Sequence, residues 1–126
     1  GRSMEALKGK EAGASFEHWI LTELIAYRGL NELDFSISYW RTKSDLEVDF
    51  ILGDGKVAIE VKISNKVDKS DLQGLAAFIE EHEPKLAYCV SLTPRARTIT
   101  LSNGKQVIDL PWRDFIQKLW NKEIIF

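Results

Sequence analysis

The sequence predicts an α/β domain, a three-layer sandwich of helices around a mixed β-sheet, and three observations carry that prediction. Apolar spacing switches between helical and alternating periods, giving the order helix, three strands, helix, strand, hairpin, helix. The strand that returns after the second helix, "KLAYCVSL", is almost wholly apolar, as expected when both faces of a strand are covered. The chain has 126 residues, 44% of them hydrophobic, which suits a single core. Residues 5–126 are therefore read as one domain, and the opening residues 1–3 as an expression remnant ahead of Met4.

The first helix is expected over "GASFEHWILTELIAYRG", where Phe16, Ile20, Leu24 and Tyr27 recur at helical spacing and Gly29 terminates the run. "DFSISYW" alternates Phe35, Ile37 and Tyr39 against Ser36 and Ser38, the pattern of a half-buried strand. Two apolar runs follow, "LEVDFIL" and "KVAIEVKI", joined through Asp54-Gly55 as a hairpin. "SDLQGLAAFIEEH" is a helix whose Ser70 and Gln73 match a capping box. "TITLSNGKQVIDL" turns at Asn103-Gly104, and "PWRDFIQKLW" is a closing helix with Pro111 in its first turn.

The central hairpin poses the functional question. A two-residue Asp54-Gly55 loop pairs Gly53 with Lys56, and subtraction then sets Phe50 opposite Ile59, Asp49 opposite Glu60 and Glu47 opposite Lys62. Alternation puts Val48, Phe50, Leu52, Val57, Ile59 and Val61 on one wholly apolar face. The other face holds Glu47, Asp49, Glu60 and Lys62. Carboxylates directly across a strand pair repel, so Asp49 and Glu60 call for a shared proton or a hard divalent cation. A solvated polar face is the alternative. On the first helix, Glu17 falls inside the apolar arc with Phe16, Ile20, Leu21, Leu24, Ile25 and Tyr27, where it must be paired, neutralised or metal-bound. Arg28 is its candidate partner.

Composition bounds the rest. Net charge is −2, with local cation clusters at Arg41/Lys43, Lys66/Lys69 and Arg95/Arg97, so no general polyanion affinity is expected from the total. Cys89 is the only cysteine and sits in an apolar run, which excludes a disulfide framework and points to a reducing, cytoplasmic setting. No apolar run approaches the roughly 18 to 20 residues a membrane span needs. No phosphate-binding G-x-x-x-x-G-K-[ST] loop occurs, and His18 and His82 have no matching partners for metal or catalytic work.

Gly13-x-x-x-Glu17 on the first helix, Asp49 ending the second strand and Glu60-x-Lys62 on the third resemble the PD-(D/E)xK nuclease superfamily. The αβββαβ order over residues 12–92 is similar to the restriction-endonuclease-like core of that superfamily. The finer pattern "FEHWILTEL…EVDFIL…IEVK" is also similar to the uncharacterised C-terminal domain of a group of prokaryotic AAA-type ATPases. The resemblance implies a nuclease acting on DNA, with Asp49, Glu60 and the Val61 carbonyl binding Mg²⁺ or Mn²⁺. Glu17 would bind the ion directly or through water, and Lys62 would orient the attacking water or steady the phosphoryl transition state. Val48 stands in place of the family's usual proline. Gln73 stands where some RecB-like members carry a functional glutamine, although the capping box accounts for it equally. An ATPase module would lie outside this chain. The rival expectation is a catalytically silent module of the same fold that docks nucleic acid or a protein partner.

Overall fold

The computed structural model describes residues 9–126, with side chains from Glu11 onward, so the remnant expected at residues 1–3 lies outside the described residues. Three strands follow helix α1 (Gly9–Leu30): β1 (Ile37–Arg41), β2 (Glu47–Leu52) and β3 (Val57–Val61). A short 3₁₀ turn (Lys69–Leu72) leads into α2 (Gln73–His82), then β4 (Leu86–Ser91), β5 (Arg97–Thr100), β6 (Gln106–Pro111) and α3 (Trp112–Trp120). The strands form one mixed sheet in the order β1-β2-β3-β4-β6-β5. β3, β4 and β6 run parallel, and the other three pairings are antiparallel.

Two cores cover the two faces of the sheet. Phe16, Ile20, Leu24 and Tyr27 of α1 and Phe115 and Leu119 of α3 pack on Phe50, Leu52, Val57, Ile59, Tyr88 and Val90. Leu75, Phe78 and Ile79 of α2 pack on Val48, Ile51, Ala58, Cys89 and Val107 from the other side. That is the three-layer α/β sandwich the periodicities predict. The C-terminal segment joins the first core through Ile124 and Ile125, whose carbonyl accepts a hydrogen bond from the buried Tyr27 hydroxyl. The turn between β5 and β6 docks on α2, where Asn103 Nδ2 donates to the Ala76 carbonyl at 3.1 Å.

Several local expectations need correction. The β2–β3 hairpin keeps the expected register, Phe50 to Ile59, Ile51 to Ala58 and Leu52 to Val57, but its loop has four residues rather than two. Gly53, Asp54 and Gly55 all take positive φ, and the Gly53 amide donates to the Ser36 carbonyl on the β1 side instead of pairing with Lys56. A third residue in the left-handed region relaxes the turn while preserving its parity, so the ladder is unaffected. Tyr39 and Ile25, expected to face inward, are exposed because no described residue packs over the sheet edge or the outer flank of α1.

Val48 lies on the α2 face with Ile51, not on the face of Phe50 and Leu52. The cause is a β-bulge: Ser38 pairs with Ile51 and Trp40 with Val48, so Asp49 and Phe50 together oppose the single residue Tyr39. An extra residue in β2 inverts every side chain that precedes it. The α2 start differs as well. The capping box belongs to Asp68 and Asp71 around the 3₁₀ turn, with Asp68 accepting from the Ser70 amide and Asp71 from the Asp68 amide. Neither Ser70 nor Gln73 caps the helix.

One contact fixes how α2 meets the sheet. A Cβ added at Gly74 would overlap the Glu47 carbonyl oxygen and stand 2.8 Å from the Glu47 nitrogen. Backbone cannot retreat as a flexible side chain can. Gly74→Ala is therefore expected to lower stability by roughly 1–3 kcal/mol through overpacking, read as a reduced urea midpoint at unchanged m.

Candidate active site

Glu17, Asp49, Glu60 and Lys62 line one cleft of about 550 Å³, with Gly13, Glu47, Gln73 and Gly74 around them. Each element delivers its residue for a local reason. On α1, Gly13 lies one turn before Glu17, and a Cβ there would make an ordinary 3.9 Å contact with Ile63, which places this turn of the helix beside the end of β3. The β2 bulge sets Asp49, and alternation on β3 puts Glu60 and Lys62 on the same side.

The β2–β3 ladder stops at Phe50 and Ile59, and beyond it the strands are tied by carboxylates. Asp49 Oδ2 accepts from the Val61 amide at 2.8 Å, and Glu60 Oε1 accepts from the Asp49 amide at 3.3 Å. The two acids thus face each other, held by side chain to backbone bonds instead of ladder pairing. Lys62 Nζ lies 3.9 Å from Glu60 Oε2.

The electrostatics follow from burial and crowding. Glu60 is 5% exposed, and its pKa is pushed up to about 9, first by loss of solvent and then by hydrogen bonding to and repulsion from Asp49. Lys62 and the Asp49 amide pull the other way. Glu17 is half-buried and raised as well, by desolvation first and then by Asp49 and Glu47. Arg28 does not neutralise Glu17. Its guanidinium donates to the Phe35 carbonyl at 3.1 Å and stacks over the Phe35 ring. His18 and His82 lie outside the cleft, and His82 packs against Phe78.

The residues suit a hard divalent ion in chemistry and only partly in number. Asp49 and Glu60 each give one oxygen to a backbone amide, and the second Glu60 oxygen lies 3.9 Å from Lys62 Nζ. Among the described residues no group of three Asp, Glu, His or Cys side chains converges to hold an ion. Two carboxylates are nevertheless a usual protein complement for Mg²⁺, which retains several waters and takes further oxygens from substrate. Glu17 lines the same cleft as these two carboxylates.

Gln73, which the family resemblance singled out, lines the cleft, whereas sequence reasoning missed Gly74. The signal for Gly74 was an unexplained glycine in a helical run, which often marks a close approach of backbone. Glu47, expected on one face with Asp49, Glu60 and Lys62, lines the cleft with them and lies 3.8 Å from Arg41.

The raised carboxyls make stability pH-dependent. Folded Glu60 holds its proton up to about 9 while the unfolded side chain releases it near 4.5. The stability contributed by Glu60 should therefore be fully present at or below the unfolded value and should be lost as pH rises toward 9. Glu17 acts in the same direction. Urea midpoints measured across this range should fall with pH, and Glu60→Gln, which mimics the neutral acid, should flatten most of the slope.

No curated protein and no solved structure matches the chain. Residues 12–112, which include Glu17, Asp49, Glu60 and Lys62, match a family described as a domain of unknown function, DUF4143. With most of its length covered by that match, the chain belongs to the DUF4143 family.

Proposed function

We propose that the domain is a metal-dependent nuclease of PD-(D/E)xK type that hydrolyses DNA phosphodiester bonds. The observation that carries the reading is the contact between Asp49 and Glu60 at a bulged strand, with Lys62 beside them and Glu17 across the cleft. Crowded carboxylates with one lysine leave a negative site that a dication would complete.

In this reading Asp49 and Glu60 would hold Mg²⁺ or Mn²⁺, joined by the Val61 carbonyl and, through water, Glu17. The ion would lower the pKa of a bound water and polarise the scissile phosphate. Lys62 steadies charge on the phosphoryl oxygens, and its proximity to Glu60 keeps its ammonium at the reacting end of the cleft. The pKa of Glu17 is raised by burial and by its acidic neighbours Asp49 and Glu47, which marks the cleft as short of positive charge. Gln73, free of any capping duty, is available to orient a polar group of the substrate. An ATPase module in the same polypeptide would add further DNA handling to this net-negative domain.

A second reading, a catalytically silent docking module, is favoured by one observation. Both central carboxylates already accept backbone amides, and among the described residues no third acid converges on them.

Metal binding and cleavage separate the two. Mg²⁺ or Mn²⁺ should raise the Tm, since a ligand bound only by the native state adds RT ln(1 + [L]/Kd), and Asp49→Asn should abolish the increment. Binding must displace the Glu60 proton, so affinity should tighten with rising pH, by up to about tenfold per unit below pH 9. Cleavage of labelled DNA should require metal and disappear in both Glu60→Ala and Lys62→Ala, with excess Mn²⁺ partly rescuing only the first. A metal-induced Tm rise without cleavage of single-stranded, duplex or branched DNA would select the docking module.

A further inference from the structure

The cleft is a poor landing place for a polyanion. Among the described residues, Glu17, Asp45, Glu47, Asp49, Glu60 and Asp71 share it with Lys62 as the one basic side chain. A second groove, of about 490 Å³, has the opposite balance: Lys66, Arg95 and Arg97 line it against the single acid Asp68. Its walls are the segments that follow β3 and β4, parallel strands whose connections leave the sheet at the same end. Cleft and groove also share a chain segment, because Lys62 and Ile63 face the first, Asn65–Asp68 the second, and Ser70 and Asp71 the first again.

The groove is built from the inside. Asp109 on β6 is fully buried and accepts from Ser91 Oγ at 2.7 Å and from Arg97 Nε at 3.2 Å. Arg97 also donates to the Val67 carbonyl, which ties the segment after β3 to β5. The Thr93 amide donates to Ser91 Oγ at 3.1 Å, and Thr93 Oγ1 donates to the Arg95 carbonyl at 3.0 Å, pinning the turn after β4. A buried carboxylate is tolerated only when paired, so Asp109 holds the guanidinium in one place. Arg97 is still 43% exposed along its side chain, and a guanidinium has five N–H donors, of which Asp109 and Val67 take two. Lys66 and Arg95 are exposed, and neither enters an ion pair among the described residues.

We infer that this groove is an anchor for the phosphate backbone of DNA, holding the strand whose scissile phosphate occupies the neighbouring cleft. The inference rests on the nuclease reading of that cleft. Phosphate contacts fix position and register without reading sequence, so the anchor binds DNA irrespective of sequence. It also supplies the local positive charge that a chain of net charge −2 lacks overall.

The test is equilibrium binding of fluorescein-labelled single-stranded and duplex DNA to the 126-residue chain. Ca²⁺ replaces Mg²⁺ so that the DNA stays intact, and salt is varied. The double variant Lys66→Ala/Arg95→Ala should weaken binding about tenfold or more near 0.1 M salt and make the slope of log K against log[salt] shallower by about two. Lys118→Ala, on the opposite face of the sheet, should change neither, and the Tm increment from Mn²⁺ should persist in the double variant. Wild-type affinity and slope in the double variant would overturn the inference, as would no binding of either DNA by the wild-type chain. Binding that depends on the groove in a protein that never cleaves would uphold the anchor and reject the nuclease reading of the cleft.

Discussion

Where β2 passes β3 at Asp49, backbone pairing gives way to carboxylate pairing, and the cleft depends on that exchange. The extra residue in β2 ends the ladder, turns Val48 to the α2 face and sets the Asp49 carboxylate against β3. Were the strands paired regularly to their ends, the Val61 amide would have no need of a side-chain acceptor. The bulge has a second effect. With Val48 on the α2 side, the backbone at Glu47 meets Gly74 without space for a Cβ, and α2 is pinned beside the cleft.

The remainder of the molecule compensates for holding acids together. Both faces of the sheet around β3 and β4 are covered by apolar layers, so the strands carrying Glu60 and Lys62 are clamped by packing independent of the site's charge. A site assembled on such strands keeps its geometry better than one assembled on loops. The polar Ser91–Asp109–Arg97 cluster does comparable work at the next position along the sheet, where it fixes two connecting segments that apolar packing does not reach.

Much of this was legible in the sequence. Helical spacing on α1, the alternation around Asp54-Gly55 and the apolar run of β4 carried the layer architecture, because burial leaves a periodic mark. The contact of Asp49 with Glu60 followed from parity alone, and it survived a wrong loop length because the longer turn conserved that parity. The bulge was not legible. It depends on how β1 lies against β2, which is a relation between segments and leaves no trace in either one. For the same reason Arg28 was given to Glu17 when a carbonyl on the following connection was nearer to hand. The capping residues were misread because Asp68 and Asp71 offer the same spacing two residues earlier than Ser70 and Gln73, and the 3₁₀ turn took the earlier pair. The insertion of β6 between β4 and β5 belongs to topology and could not be read from a hairpin signal.

The two amides bound to carboxylates have a spectroscopic meaning. The Val61 and Asp49 N–H groups sit within the sheet, yet their acceptors are side-chain oxygens whose charge changes with whatever enters the cleft. Amide protons elsewhere in β2 and β3 report the opening of the fold as a whole. These two instead sense the occupancy of the acids directly, through their chemical shifts and rates of solvent exchange. The protein thus carries intrinsic backbone probes at its acidic centre, and they respond to a proton, a cation or a phosphate without any label.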